Sequence, residues 1–380
     1  MQLPCPAWCF VITAHLGGPF LKNSLTDQKT RCNLRKTETF PEATMTTIVD
    51  IAKKLNISKS TVSRALTDSE EVSPKTRMLV KKAAQEMQYQ ANMYARTLVS
   101  QRSHMVSFMI PNITDNFYQK MAEGAESELN AAGYTLFYRN VHRNGIEALK
   151  FLEHAEEFHM EGVFITLDDW SEEICKKIQT MDIPVISLRR KTPPCLAGRV
   201  PFVDSDYEEG IDNAVSYLLS MGHRNIGYIG FETMVGKERI MAFEASCEKH
   251  HLVKNIIRNR SFQDANVRID VGYTSAKKLI GMNHGLTVIF CGDDQLALGA
   301  LKYCSEAGIP VPEKMSVMGC DDRDVSGLYC IQLTTMRQQI EESGHLAGQL
   351  MVQMIEKPGV YDDICVPMTI KERKTVGHIG

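Results

Sequence analysis

The chain has 380 residues, 43% of them hydrophobic, and a formal net charge of −3. That is enough apolar material for two or three packed domains and excludes a disordered chain, while no apolar run reaches the roughly 20 residues that span a bilayer. Eleven cysteines lie between Cys5 and Cys365, an odd number without paired metal-ligand spacing. They exclude a disulfide-stapled secreted scaffold and a zinc module, and point to reduced thiols in the cytoplasm.

The charge is unevenly placed. Residues 46–102 hold ten Lys and Arg against five Asp and Glu, a net of +5, whereas residues 103–380 carry −10. A basic head on an acidic body suits phosphate contact by the head alone. Residues 1–45 have no basic stretch ahead of their mildly apolar run to Phe20 and no periodicity after it. They are expected to be a disordered tail or the product of an upstream start, with Met45 opening the folded part.

The head begins with Ile48, Ile51, Ala52 and Leu55, whose spacing makes one apolar stripe on a first helix. Asn56 tolerates the left-handed conformation that ends a helix, and Ser58 is a good N-cap for the next. In that second helix Val62, Ala65 and Leu66 face inward, leaving Lys59, Ser60, Thr61, Ser63 and Arg64 outward near its start. A third helix follows, with Ser73 as N-cap, Pro74 at its first position, and Thr76, Val80, Ala83, Ala84 and Met87 on one stripe. This is the pattern of a DNA-binding helix-turn-helix, whose second helix presents its N-terminal side chains to base edges. The head is expected over residues 46–91. Residues 92–103 are expected to be a short helix and linker, too short for a helix stable alone in water.

From residue 104 apolar strand-like runs alternate with helical patterns, at Met105–Ile110, Tyr134–Tyr138, Gly162–Thr166, Pro184–Leu188, Ile226–Gly230, Thr287–Phe290 and Met315–Gly319. The alternation predicts an α/β architecture of parallel sheets, arranged as two doubly wound lobes with a cleft at the strand carboxyl ends. The body is expected over residues 104–375. One lobe would comprise about 104–200 with 337–365, the other 201–336 with 366–375, leaving 376–380 as a tail. No G-x-G-x-x-G, G-x-x-x-x-G-K-[ST], G-x-S-x-G or His/Cys cluster is present, so neither an enzyme nor a cofactor or metal is expected. His223 reads as a structural residue at a strand entry.

These residues resemble the lac repressor family of bacterial transcription regulators. In the head the resemblance lies in Asp50-Ile51-Ala52, Ser58 to Leu66, Val72 to Arg77 and Tyr89, and in the linker in Asn92 to Leu98, similar to the family's hinge helix. In the body it lies in Met221 to Ile226, Arg239 to Phe243, Asp293 to Ala300, Leu333 to Thr335 and Lys371 to Thr375, the last like the family's terminal strand. The chain departs from the pattern at Ala242, where Gly is usual, at Asp293, where Asn is common, and at Cys320, where an aromatic often precedes the Asp.

The resemblance implies a periplasmic-binding-protein-like body and a homodimer whose heads read a near-palindromic duplex operator. Lys59, Ser60 and Thr61 would read bases, supported by Ser63 and Arg64, while Thr76 and Asn92 contact the phosphate backbone. The Ala95-Arg96 hinge would fold on the operator, with Leu98 wedged between base pairs of the minor groove. The body would bind a small effector, a sugar or sugar derivative, through Arg239 as a forked donor and Asp321 as an acceptor. Phe117 and Tyr118, in the loop after the first strand, would offer a ring face. Arg190 and Asp293 are further candidates, Asp293 equally as a helix N-cap. The expected function is repression of a carbohydrate-related operon, with the effector altering operator affinity. A nucleobase or protein partner in place of the sugar is the alternative, and a sugar-binding transport protein the more distant one. No heptad tail precedes Gly380, so a dimer is the expected assembly.

Overall fold

The computed structural model describes residues 46–66, 69–89, 102–142, 144–167, 170–260, 265–282 and 285–379. It divides into two compact units, one up to Gln90 and one from Ala91 onward. The first unit contains α1 (Ile48–Leu55), α2 (Lys59–Leu66) and α3 (Pro74–Glu86). None of these short helices would persist alone. They are held by a shared core of Ile51, Ala52, Val62, Ala65, Val72, Val80, Ala83 and Ala84, flanked by Ile48, Leu55, Leu66 and Tyr89.

The second unit contains β1 (Met105–Ile110), α4 (Asn116–Ala131), β2 (Thr135–Asn140), α5 (Gly145–His154), β3 (Gly162–Ile165), α6 (Glu172–Thr180), β4 (Val185–Leu188) and β5 (Phe202–Ser205). There follow α7 (Tyr207–Ser220), β6 (Ile226–Phe231), α8 (Met234–Lys249), β7 (Asn255–Asn259), α9 (Ala265–Met282), β8 (Val288–Cys291), α10 (Asp294–Glu306) and β9 (Ser316–Asp321). The chain closes with β10 (Thr334–Arg337), α11 (Ile340–Glu356), β11 (Ile364–Val366) and β12 (Thr369–Lys371).

The strands form two six-stranded sheets, ordered β11-β5-β4-β3-β1-β2 and β12-β10-β9-β8-β6-β7. The pairs are parallel except for β12, which runs antiparallel to β10. Helices cover the sheets, so the central strands are buried along their length and read as continuous apolar runs. In the first sheet Phe108 lies beside Phe164, their rings 5.8 Å apart edge to face. In the second, Tyr228 lies beside Phe290 at 5.3 Å, and Phe243 of α8 stacks on Tyr228 at 4.6 Å.

Each sheet anchors one lobe, and three connections pass between them, after β5, after β10 and after β11. The strand at 202–205 corrects the expected boundary: residues from 201 were assigned to the second lobe, yet β5 pairs with β4 and β11 in the first. The terminal strand is also earlier than the Lys371–Thr375 run, at Thr369–Lys371. Residues 376–379 are not a loose tail. Val376 is buried, the Ile379 amide donates to the Met221 carbonyl at 2.8 Å, and His223 meets the Gly377 carbonyl at 3.1 Å. His223 is buried and its second ring nitrogen meets Thr287 Oγ1 at 3.0 Å, in keeping with a structural part.

In the first lobe α4 and α11 approach closely because small residues face each other. A Cβ on Gly124 would strike the Glu341 carbonyl, and one on Gly344 would strike the carbonyl of Met121. Backbone cannot yield as a side-chain tip can. Gly344→Ala is therefore expected to destabilise the body by about 2–3 kcal/mol, read as a lowered denaturation midpoint of the full chain.

Candidate functional site

Local chemistry places the head's polar surface. Asn56 ends α1 in the left-handed region, at φ 51 and ψ 46. The Ser58 hydroxyl accepts the Thr61 amide at 3.1 Å, and the Ser73 hydroxyl accepts the Thr76 amide at 3.2 Å. Asp50 accepts both the amide (2.9 Å) and the hydroxyl (2.7 Å) of Thr47, bonds that hold its carboxyl below the usual range. With Val62 and Ala65 fully buried, the opposite face of α2 carries exposed Lys59, Ser60 and Arg64 and half-buried Thr61 and Ser63. Arg64 pairs with Glu71 at 3.1 Å, and Thr76 is half-buried in the first turn of α3. Asn92, Ala95, Arg96 and Leu98 lie outside the described residues.

In the second unit a cavity of ≈ 350 Å³ opens between the lobes. The first lobe lines it with Asp115, Tyr118, Arg189 and Arg190, and the second with residues including Phe231, Arg239, Arg268, Asp293, Asp321 and Arg323. Its centre is a buried ion pair, Arg239 Nη2 to Asp321 Oδ1 at 2.9 Å. Arg239 also donates to the Gly292 carbonyl and lies 4.7 Å above the Tyr207 ring. Burial opposes the Asp321 charge, but Arg239, Arg323 and Arg189 outweigh it and hold that carboxyl below its usual range. Asp321 sits at φ 116, an uncommon conformation for a residue with a side chain, at the carboxyl end of β9.

The ion pair also touches the connections between the lobes. Gln338 donates to Asp321 Oδ1 at 2.6 Å and accepts from Ser205 at 3.0 Å and from the Tyr207 hydroxyl at 3.1 Å. Beside it the Asp206 amide donates to the Val366 carbonyl at 2.9 Å. The segments after β5, β10 and β11 are thereby tied to one another and to the cleft. Two cross-lobe ion pairs lie at the rim, Lys120 with Asp324 at 2.7 Å and Asp115 with Arg323 at 3.6 Å.

The predicted site residues fall into place unequally. Arg239, Asp293, Asp321, Tyr118 and Arg190 all line the cleft. Asp293 is the N-cap of α10, accepting the Leu296 amide at 2.8 Å, and also pairs with Arg268 at 2.7 Å. Phe117 and Tyr118 belong to the first turn of α4, not to a loop, because Asp115 caps that helix. Phe117 does not line this cavity; it lies beneath Arg189, whose guanidinium is 3.5 Å from the ring centroid. Arg189, Arg268, Arg323 and Asp115 were missed by the sequence reading. Arg189 alone had a local signal, since it directly follows the buried run of β4.

Behind the cleft Asp294 is fully buried and accepts the Arg323 amide and the Ser326 hydroxyl at 2.7 Å each, and Thr335 at 2.5 Å. Burial and the nearby Asp321 charge push its pKa up to about 7.

A three-helix head with a capped, polar-faced second helix, and a two-lobed body with a polar cleft at its strand ends, define a DNA-binding regulator of the ligand-sensing type. Residues 47–92 match bacterial regulatory proteins of the lacI family, and residues 215–376 match the periplasmic binding protein-like domain. Among curated relatives, catabolite control protein A of Priestia megaterium is 26% identical over 87% of this chain and 98% of its own. The ribose operon repressor of Halalkalibacterium halodurans is 28% identical over 82% of this chain and 91% of its own. Among solved structures, a lac repressor dimer bound to operator and the anti-inducer ONPF superposes with a TM-score of 0.76 at 21% identity, covering 88% of this chain and 99% of that one. Residues 47–92 carry the lacI-family head, and most of the chain is similar to transcriptional regulators of that kind.

The raised Asp294 pKa has a defined sign. Between its unfolded value near 3.8 and its folded value of about 7 the folded chain binds more protons, so stability falls as pH rises through that window. Unfolding free energy should be lower at pH 8 than at pH 4.5 by up to about 3 kcal/mol from this group, and Asp294→Asn should flatten that dependence.

Proposed function

We propose that the chain is a repressor that binds a near-palindromic operator as a homodimer in the cytoplasm and alters its operator affinity when a small ligand occupies the cleft. The observation that carries this reading is the Gln338 bridge, which bonds the Arg239–Asp321 pair to the segments joining the lobes. A ligand engaging Arg239 or Asp321 thereby acts on the connections that set lobe geometry. The relatives support the same assignment: one is by name a ribose operon repressor, and one solved neighbour is a dimer on operator DNA. Coupling of this kind is reciprocal, so operator must change ligand affinity by the same factor.

Lys59, Ser60 and Thr61 are assigned to base edges, Ser63 and Arg64 to support beside them, and Thr76 with Asn92 to phosphates. Ala95, Arg96 and Leu98 are assigned to the minor groove. Effector contact is assigned to Tyr118, Arg190, Arg239, Asp293 and Asp321, with Phe117 acting through Arg189.

Selection of bound duplexes from a random library by the full-length protein should recover a two-fold symmetric site; a featureless pool would refute operator recognition. On the recovered site, Lys59→Ala should cost about 1–3 kcal/mol and relax preference at one position per half-site. Thr76→Val should weaken binding to all duplexes alike. Both are read by fluorescence anisotropy at fixed salt. A screen of sugars, sugar acids, sugar phosphates and nucleobases should find a compound that both raises the melting temperature and shifts operator affinity.

A further inference from the structure

We infer that the ligand of the inter-lobe cleft is an anion, a polyhydroxylated molecule of monosaccharide size bearing a carboxylate or phosphate, and not a neutral sugar or nucleobase. The inference rests on the reading of the cleft as the effector site and specifies its occupant.

Charge is the first argument. Five arginines and three aspartates are the charged residues lining the cleft among the described residues, leaving two positive charges in excess. The aspartates are already committed. Asp321 is held by Arg239 and Gln338, Asp293 by Arg268 and the Leu296 amide, and Asp115 by the Phe117 amide at 3.1 Å and by Arg323. The donors are not used up. The Nε atoms of Arg189, Arg239 and Arg323 are buried without a hydrogen-bond partner among the described residues, and Arg239 as a whole is only 5% exposed. Arg323 Nε does lie 3.7 Å from Asp321 Oδ2, an ion-pair separation too long for a hydrogen bond.

Arg189 is the second argument. It follows β4 at φ 61, a conformation that turns it away from the line of the strand, and its guanidinium lies over Phe117 at 3.5 Å and near Tyr118 at 5.6 Å. The aromatic pair fixes a planar fork at the cleft wall. Among the described residues it makes no ion pair with a carboxylate. Asp321, already held by Arg239 and Gln338, acts on it only at longer range, and burial drives the Asp204 carboxyl toward the neutral form. A desolvated guanidinium with no carboxylate paired directly to it leaves its fork open, and a ligand anion can accept two parallel hydrogen bonds from it. The ≈ 350 Å³ of the cavity is near the lower end for small-molecule sites and suits one sugar ring.

The test uses full-length protein and calorimetric titration at fixed ionic strength with matched sets: glucose with glucuronate, gluconate and glucose 6-phosphate; galactose with galacturonate and galactose 6-phosphate; ribose with ribonate and ribose 5-phosphate. Adenine, hypoxanthine and inorganic phosphate complete the panel. At least one acid should bind about tenfold or more tightly than its neutral parent. Its affinity should fall with added salt, a measurement on the unaltered protein that needs no variant. Arg189→Gln should weaken the acid by about tenfold and leave the neutral parent unchanged, while Arg189→Lys, which keeps the charge but loses the fork, should retain only part of the preference. Whether uronate or phosphate wins identifies the anionic group. A neutral sugar or a base binding more tightly than every acid, or Arg189→Gln weakening acid and parent equally, overturns the inference. Inorganic phosphate binding as tightly as the sugar phosphates overturns its polyol part. A neutral ligand that still shifts operator affinity leaves the proposed function standing, whereas operator binding unmoved by every compound that binds removes both.

Discussion

The Arg239–Asp321 ion pair organises the body. It joins α8 to the end of β9, is supported by the Gly292 carbonyl and Gln338, and is buried at 7% and 6% side-chain exposure. A buried pair of this kind is a poor device for stability alone, since apolar residues of similar volume often serve as well. Its value here is positional. Because Gln338 bonds to Asp321 on one side and to Ser205 and Tyr207 on the other, the pair is linked to the segments between the lobes. Contacts made at the guanidinium and contacts made at the hinge are then parts of one hydrogen-bonded network.

The head follows a different economy. Its core is eight small and branched residues, and its helices are defined as much by caps as by burial. Such a core leaves most of the α2 surface free of packing duties, so the polar side chains near its start stay exposed or half-buried. The body's sheets are the opposite case, with strands enclosed on both faces and chemistry confined to their ends.

Local features were the legible ones. The left-handed Asn56, the caps at Ser58 and Ser73, and the apolar strand runs all follow from residue chemistry within a few positions. So did Arg239 and Asp321, through the resemblance and through their place at a helix face and a strand end. Long-range partnership was not legible. Nothing near 202–205 says that β5 should pair with β11, some 160 residues later, and α/β runs look alike in either lobe. Arg190 was read as a cleft residue and lines the cleft, but its neighbour Arg189 was not singled out, since its turn from the strand rests on a φ of 61 that the sequence does not announce. Phe117 was assigned to the ligand because its platform role depends on a guanidinium from another strand.

The pairing of β5 with β11 has a consequence for synthesis on the ribosome. The first lobe is begun by residues near 105 but lacks α11 and β11 until about 260 further residues have been added. Its α4 face and the outer edge of β5 stay uncovered through most of elongation. The head, whose core among the described residues lies within 48–89, needs no such wait. The nascent chain therefore passes through a long interval in which the three-helix head can be complete while the first lobe is not.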